Sequence, residues 1–296
     1  MSLNQRLFSL TLAGALAFSA CGDDGDDKVE PVEDAGSGDG DRYAGCATVI
    51  EAGSDTEAIQ TALIEVKTGE TLCFADGVYE ITTELSLTVN KVTVRGNPED
   101  REAVVLDYAK QTTGKDALSV DGADFTIEHL TIRNSGGNSI VVKNTERPTF
   151  RNLKVYWDAG SKTENGAYAV YPLSCTDVLV EDCEVIGASD AGIYVGQSKN
   201  IIVRNNVVHG NVAGIEIENS DDALVTGNHT YDNTCGILVF VMPNLEKKDG
   251  HRTIVENNNI ENNNHENFAE AGTTVSFLPA GLGMLLLAND GTEVRG

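Results

Sequence analysis

The residues best suited to chemistry are two glutamates, Glu216 and Glu218, in the segment AGIEIENS that begins at Ala213. Ile215 and Ile217 alternate with them, which is the period of a strand, so both carboxyls share one face with Cα atoms about 6.6 Å apart. Carboxyls roughly 6.5–9.5 Å apart suit inverting glycoside hydrolysis, in which one protonates the leaving oxygen and the other activates water. Elimination or C5 epimerisation at a uronate needs a base and a proton donor, for which Tyr194, Lys199 and Arg204 are the local candidates. Each has a plainer explanation. The acids suit a solvated surface in an acid-rich chain, and the others suit turn solubility and packing.

Internal repetition supplies the elements that must position them. Residues 191–212 (AGIYVGQSKNIIVRNNVVHGNV) and 213–234 (AGIEIENSDDALVTGNHTYDNT) match in register over 22 positions, and Gly192, Gly214 and Gly236 recur at that interval. Ala117 and Ser139 are again 22 apart, and Ala169 precedes Gly192 by 23. The 47 residues from Gly236 to Gly283 read as two coils with a short insertion. Within a unit Ile193, Val195 and Ile201, Val203 alternate, so the unit consists of strands, each pairing with its counterpart one unit later about 4.8 Å away. A repeat of this kind marks an all-β solenoid.

Alignment of the repeats gives two outward columns, Tyr171, Tyr194, Glu216, Leu238 and Leu173, Gly196, Glu218, Phe240. They predict an aromatic and acidic strip with a dip at Gly196, Tyr171 and Phe240 serving substrate binding. Insertions at 156–166 and 243–252 are expected to wall it into a groove. Asn206, Asn228, Asn258 and Asn211, Asn233, Asn263 form two further columns, read as amide ladders that satisfy turn backbone, with Cys183 replacing one member.

The GIxIxNS and NN elements of this repeat resemble the right-handed parallel β-helix of the pectate-lyase-like superfamily, and more narrowly a group of bacterial, often lipid-anchored, parallel β-helix repeat proteins. The resemblance covers roughly residues 55–296. TEAIQTALIEVKTGETLCFADGVYEI, from Thr56, is similar to the superfamily's opening segment, whose amphipathic helix covers the first coil; Ala58, Ile59, Ala62 and Leu63 supply its apolar face. The resemblance implies a right-handed parallel β-helix solenoid with about 22-residue coils and an N-terminal capping helix over residues 46–296. GMLLLANDGTEVRG restarts the repeat at Gly283, from which a C-terminally incomplete helix is expected. The alginate epimerase signature, the calcium nonapeptide GGxGxD and a three-aspartate hydrolase pattern are absent from the sequence, so no single activity of the superfamily carries over.

Arg6, the apolar residues 7–17 and the small residues Ser19 and Ala20 before Cys21 read as an export signal over residues 1–20. A small residue before that cysteine resembles the lipobox of bacterial lipoproteins, which makes Cys21 the lipidated N-terminus; an ordinary cleaved signal is the alternative. Gly22 in place of Asp implies the outer membrane or cell surface. Residues 21–45, rich in acids and Gly, cannot offset the entropy of ordering and read as a solvated tether. The apolar run 275–288 is too short and too broken by Pro279, Gly281 and Gly283 to span a bilayer. Twenty-one Lys and Arg against 46 Asp and Glu leave a charge of -25, which excludes general nucleic-acid binding. Of the remaining cysteines, Cys46 with Cys73 is the expected disulfide.

Asp190, Asp221 and Asp222 are candidate ligands for a calcium ion bridging an anionic sugar, against the plainer reading as turn residues. The histidines, including His209, His229 and His265, have no obvious acid partner and read as structural. Arg133, Lys143, Arg147, Arg151 and Lys154 either balance local acids or, as a group, are the one hint of an anion-binding region. The expected function is that of a cell-surface polysaccharide-active protein of lyase, C5-epimerase or hydrolase type. A non-catalytic solenoid that binds glycans or proteins, and a purely structural envelope component, are the alternatives.

Overall fold

A computed structural model describes residues 42–296. The expected export signal, the lipidation site Cys21 and most of the tether lie outside the described residues. Strands assemble into three parallel sheets of ten, eight and eight members, here A, B and C. Each coil visits them in turn, as in Lys199–Arg204 on A, Val207–His209 on B and Ala213–Glu218 on C. Among the described residues no helix is long and apolar enough to cross a membrane.

Alternation builds the core. Val180, Val203, Val225 and Val255 pair successively on A and are all 0–1% exposed, while Ile202 between them is 37% exposed. Inside C, Ile193, Ile215 and Ile237 stack in the same way. Corners need residues that tolerate a left-handed backbone, and the A–B corner holds Asn152, Asp182, Asn205, Gly227 and Asn257 at φ 47 to 66°. Both asparagine ladders form. Nδ2 of Asn206 donates to Oδ1 of Asn228, and Asn228 to Asn258, at 2.9 Å, while Asn211, Asn233 and Asn263 repeat the pattern at 2.9 Å. The backbone N–H of Cys183 donates to Asn206 Oδ1 at 2.9 Å, so the thiol stands at the start of the first ladder.

The helix Thr56–Glu65 starts at the cap Asp55, whose carboxylate accepts from Ala58 N at 2.8 Å. It buries Ile59 and Leu63, and Gln60 exchanges two hydrogen bonds with the backbone of Ser86, occupying the free edge of the first strand of C. Ala58, expected on the apolar face, is exposed; Thr56 takes its place, its hydroxyl accepting from Thr82 N. Cys46 and Cys73 form the disulfide, and Cys175, Cys183 and Cys235 are buried free thiols.

Sequence reading of residues 236–283 is corrected. Cys235–Phe240 pairs directly with Leu282–Leu287, so one coil, not two, lies between them. The surplus residues leave it in two excursions, 241–253 at the C–A corner and 262–281 at the B–C corner.

The basic residues do not make an anion site either. Arg133 pairs with Asp107 at 2.8 Å, Arg147 with Asp124 and Glu146, Arg151 with Glu181 at 2.6 Å and Lys154 with Glu102 at 2.8 Å, while Lys143 Nζ lies 5.8 Å from the Tyr171 ring centre. On the outer face of A this becomes a ladder, Arg95–Glu128–Arg151–Glu181–Arg204, in which each glutamate is 5% exposed and lies between two arginines. The histidines, expected to lack acid partners, all have one: His229 with Glu261 and His251 with Asp221 at 2.9 Å, His265 with Asp232 at 3.5 Å, and His129 with Glu128 and His209 with Glu184 at 3.8 Å.

Candidate functional site

Strand register places the two columns as the repeat predicts. Tyr194 pairs with Glu216 and Glu216 with Leu238; Gly196 pairs with Glu218 and Glu218 with Phe240, all on the outer face of C. The expected open strip is corrected, because a roof covers it. Glu216 is 1% exposed and Tyr194 and Phe240 are each 5% exposed, since residues 262–281 fold back over the sheet and seat Val275 and Leu278 on it. Asn267 braces this roof through Nδ2, which donates to the carbonyls of Val275 and Leu278 at 2.8 Å. Ser276 Oγ adds a bond to Thr273 O at 2.7 Å.

Beneath the roof lies a cavity of about 330 Å³. Asp190, Glu216 and Glu218 supply its carboxyls, Tyr168, Tyr194 and Phe240 its aromatic walls, and residues 272–275 its ceiling. The dip at Gly196 is filled: a Cβ there would meet Cε1 and Cζ of Tyr194 at 2.5 Å, so the ring lies across the glycine and its hydroxyl donates to Glu218. Tyr168 stacks on Tyr171 at 4.6 Å and packs tilted by 41° against Tyr194 at 4.7 Å, and its hydroxyl donates to Asp190 at 3.3 Å.

Burial dominates the electrostatics. Desolvation, with Asp190 and Glu218 nearby, holds Glu216 well above the usual carboxylate range. Asp190 is pushed up to about 7 by burial, against the bond from Tyr168 and with repulsion from Glu218. Burial also raises Glu218, opposed by the bond from Tyr194, and raises the phenols of Tyr168 and Tyr194. Glu216 Oε1 and Asp190 Oδ1 are buried without a hydrogen-bond partner. None of the residues lining the cavity is a lysine, arginine or histidine. At neutral pH the site therefore holds protons on carboxyls, one of which titrates near neutrality, and that is the equipment of general acid–base catalysis.

Of the residues singled out in the sequence, Tyr194, Glu216, Glu218 and Phe240 meet at the cavity, and Tyr171 stands beside it in the tyrosine stack. Lys199 and Arg204 do not meet them: both lie on sheet A, Lys199 exposed and Arg204 bound to Glu181 at 2.8 Å. The expected walls line none of the cavity. Ser161, in the 156–166 insertion, bonds Gly210 O at 2.6 Å, and Lys247, in 243–252, receives Asn219 Nδ2 on its carbonyl at 2.6 Å. The three aspartates are dispersed. Asp190 is in the cavity, Asp222 pairs with Arg252, and Asp221 lies with Asp249 and His251 in a group whose ligand atoms fall within 4.8 Å of one another. Lys247 Nζ already bonds both of those acids, at 3.1 and 2.6 Å.

Sequence reading missed Tyr168, Asp190 as part of the acid cluster, and the roof. A signal for Tyr168 existed, since it is the large member of a column that continues as Ala191, Ala213 and Cys235.

The model of a family described as "Right handed beta helix region" matches residues 160–281. Among curated proteins, none matches the chain. Similar solved structures include an alginate lyase from Paenibacillus sp. str. FPU-7, with 14% identity and a TM-score of 0.53, covering 84% of this chain and 97% of that one. Escherichia coli YbhC is similar at 10% identity and a TM-score of 0.50, covering 84% and 85%. What the chain shares with them is the fold, that of a right-handed parallel β-helix.

Proposed function

We propose that the cavity on sheet C binds a polysaccharide without uronate groups and hydrolyses it by general acid–base catalysis. The observation that carries this reading is the enclosure of Asp190, Glu216 and Glu218 with no basic side chain in the cavity wall. An anionic sugar entering there would meet only like charge, and elimination would lack the cation that a uronate carboxylate requires. Glu216, protonated at neutral pH, is the proton donor to the leaving oxygen. Glu218, favoured as a carboxylate by the bond from Tyr194, activates water. Carbohydrate as the ligand class draws support from the aromatic walls Tyr168, Tyr194 and Phe240 and, for a polysaccharide in general but not for its uronate, by analogy from the alginate lyase on the same fold. An export signal over 1–20 and a lipid on Cys21 would put this activity at the outer membrane or cell surface.

Incubating the full chain with neutral, amino-sugar and uronate polysaccharides and following reducing ends and absorbance near 235 nm tests the proposal. Saturated shorter products are expected, with kcat lowered at least ~100-fold in Glu216→Gln and in Glu218→Gln. Unsaturated products would replace hydrolysis with elimination. Binding without products would leave a non-catalytic glycan receptor.

A further inference from the structure

Charge inside the cavity is unbalanced in a way found nowhere along the arginine–glutamate ladder of sheet A. Three carboxyls converge, Glu216 is 99% buried by its 1% exposure, and Glu216 Oε1 and Asp190 Oδ1 have no partner. Buried acceptors without donors cost free energy that a ligand rich in donors recovers. A protonated primary amine brings three N–H donors, no acceptor and one positive charge, which match acceptors without donors in a wall that holds no cation. An acetamido group in the same place offers one donor and a carbonyl. A divalent metal fits less well: among the described residues the group of metal-ligating atoms within 4.8 Å of one another is Asp221, Asp249 and His251, not these three acids. Long-range attraction works in the same direction, because the chain carries a formal charge of -25.

We propose that the cavity recognises the free ammonium group of an amino sugar, so that the polysaccharide it takes is de-N-acetylated and cationic. This rests on the reading of the cavity as a polysaccharide site and adds the substrate class. Binding then has a proton balance. The O–H bond of protonated Asp190 breaks, its proton goes to buffer, and the carboxylate left behind accepts an N–H of the ammonium, while Glu216 accepts a second N–H on its unpartnered oxygen and keeps the proton it gives to the leaving oxygen. The other ionisable groups facing Asp190 and Glu216 are Glu218, Tyr168, Tyr194 and, on the strand next to Glu216, the thiol of Cys235.

Titration calorimetry of the full chain with glucosamine hexasaccharide and with N-acetylglucosamine hexasaccharide, at about pH 6 in two buffers of different protonation enthalpy, tests this. The amine oligomer is expected to bind at least ~10-fold more tightly and to release about one proton per site. Asp190→Asn is expected to remove most of both effects, and Glu216→Gln part of the binding preference while leaving proton release in place. Equal or tighter binding of the acetylated oligomer, or amine binding without proton release, overturns the proposal. Adhesion of a polycation to the acidic surface would persist in Asp190→Asn, and that outcome overturns it too. Cleavage of acetylated or neutral glycans that depends on Glu216, without preference for the amine, would sink the ammonium and leave hydrolysis standing. Selective amine binding with no cleavage would do the reverse.

Discussion

On sheet A, Glu181 is 5% exposed and lies between Arg151 and Arg204; on sheet C, Glu216 is 1% exposed and has Asp190 and Glu218 as its charged neighbours. Burial alone would raise both carboxyls. In Glu181 the two guanidiniums overcome it and hold the group below its ordinary value, whereas in Glu216 nothing opposes it. The same side chain at the same depth is thus a fixed anion on one face and a held proton on the other. Depth does not decide which; the charged neighbours do, guanidiniums one rung away for Glu181 and the acids Asp190 and Glu218 for Glu216.

The largest effect that would sharpen the contrast is on stability. Glu181→Gln removes the charge shared by Arg151 and Arg204, and should cost about 2 kcal/mol in urea unfolding near pH 7, below the 3–5 expected for fully buried pairs because both arginines are partly exposed. Glu216→Gln under the same conditions should cost nothing. If the two substitutions destabilised equally, pairing would not be what separates the two faces.

Next in size is Gly196→Ala. The added methyl needs the place of the Tyr194 ring, whose hydroxyl then leaves Glu218, and overpacking of this kind costs about 1–2 kcal/mol. The expected signature is a further rise in the Glu218 titration, read by NMR of side-chain carboxyls, since the bond that favours its ionised form is gone. An unchanged Glu218 titration would show that Tyr194 does not set its charge.

Much of this could be read in the sequence where position repeats. Asn206, Asn228 and Asn258 hydrogen-bond in the column that their spacing predicts, and Glu216 and Glu218 lie on one outer face because Ile215 and Ile217 fill the inner one. What escaped does not repeat. Residues 262–281 are an excursion inside one coil, and a register argument that counts 47 residues as two coils has no means of finding a roof there. The arginine–glutamate ladder escaped for a related reason: its members are 33, 23, 30 and 23 residues apart, from Arg95 through Glu128, Arg151 and Glu181 to Arg204, because other coils carry insertions of their own. Local composition then left open whether Arg147 and Arg151 balance acids or bind an anion, and the structure has ion pairs made across coils.

The smallest effect concerns the sign of the pH dependence on the two faces. A carboxyl lowered by folding, such as Glu181 or Glu184, the latter brought to about 2 by His209 and by Lys154 and Arg101, gives stability that is present above its unfolded pKa and lost as pH falls through the folded value. Asp190, Glu216 and Glu218 are raised, so their contribution is complete below the unfolded values and is lost as pH rises; for Asp190 the window runs from 3.8 to about 7. Stability should therefore fall on both sides of a mildly acidic maximum, the acid limb belonging to ion-paired acids of sheets A and B and the neutral limb to sheet C. Glu216→Gln should flatten only the second limb. Its effect on the unfolding midpoint should be small at about pH 5 and stabilising at about pH 8, because the contribution of the raised Glu216 is lost as pH rises and two acids then share the cavity instead of three. A variant destabilised to the same extent at both pH values would mean that Glu216 serves packing or a hydrogen bond rather than storing a proton, and the contrast with Glu181 would then rest on shape instead of charge.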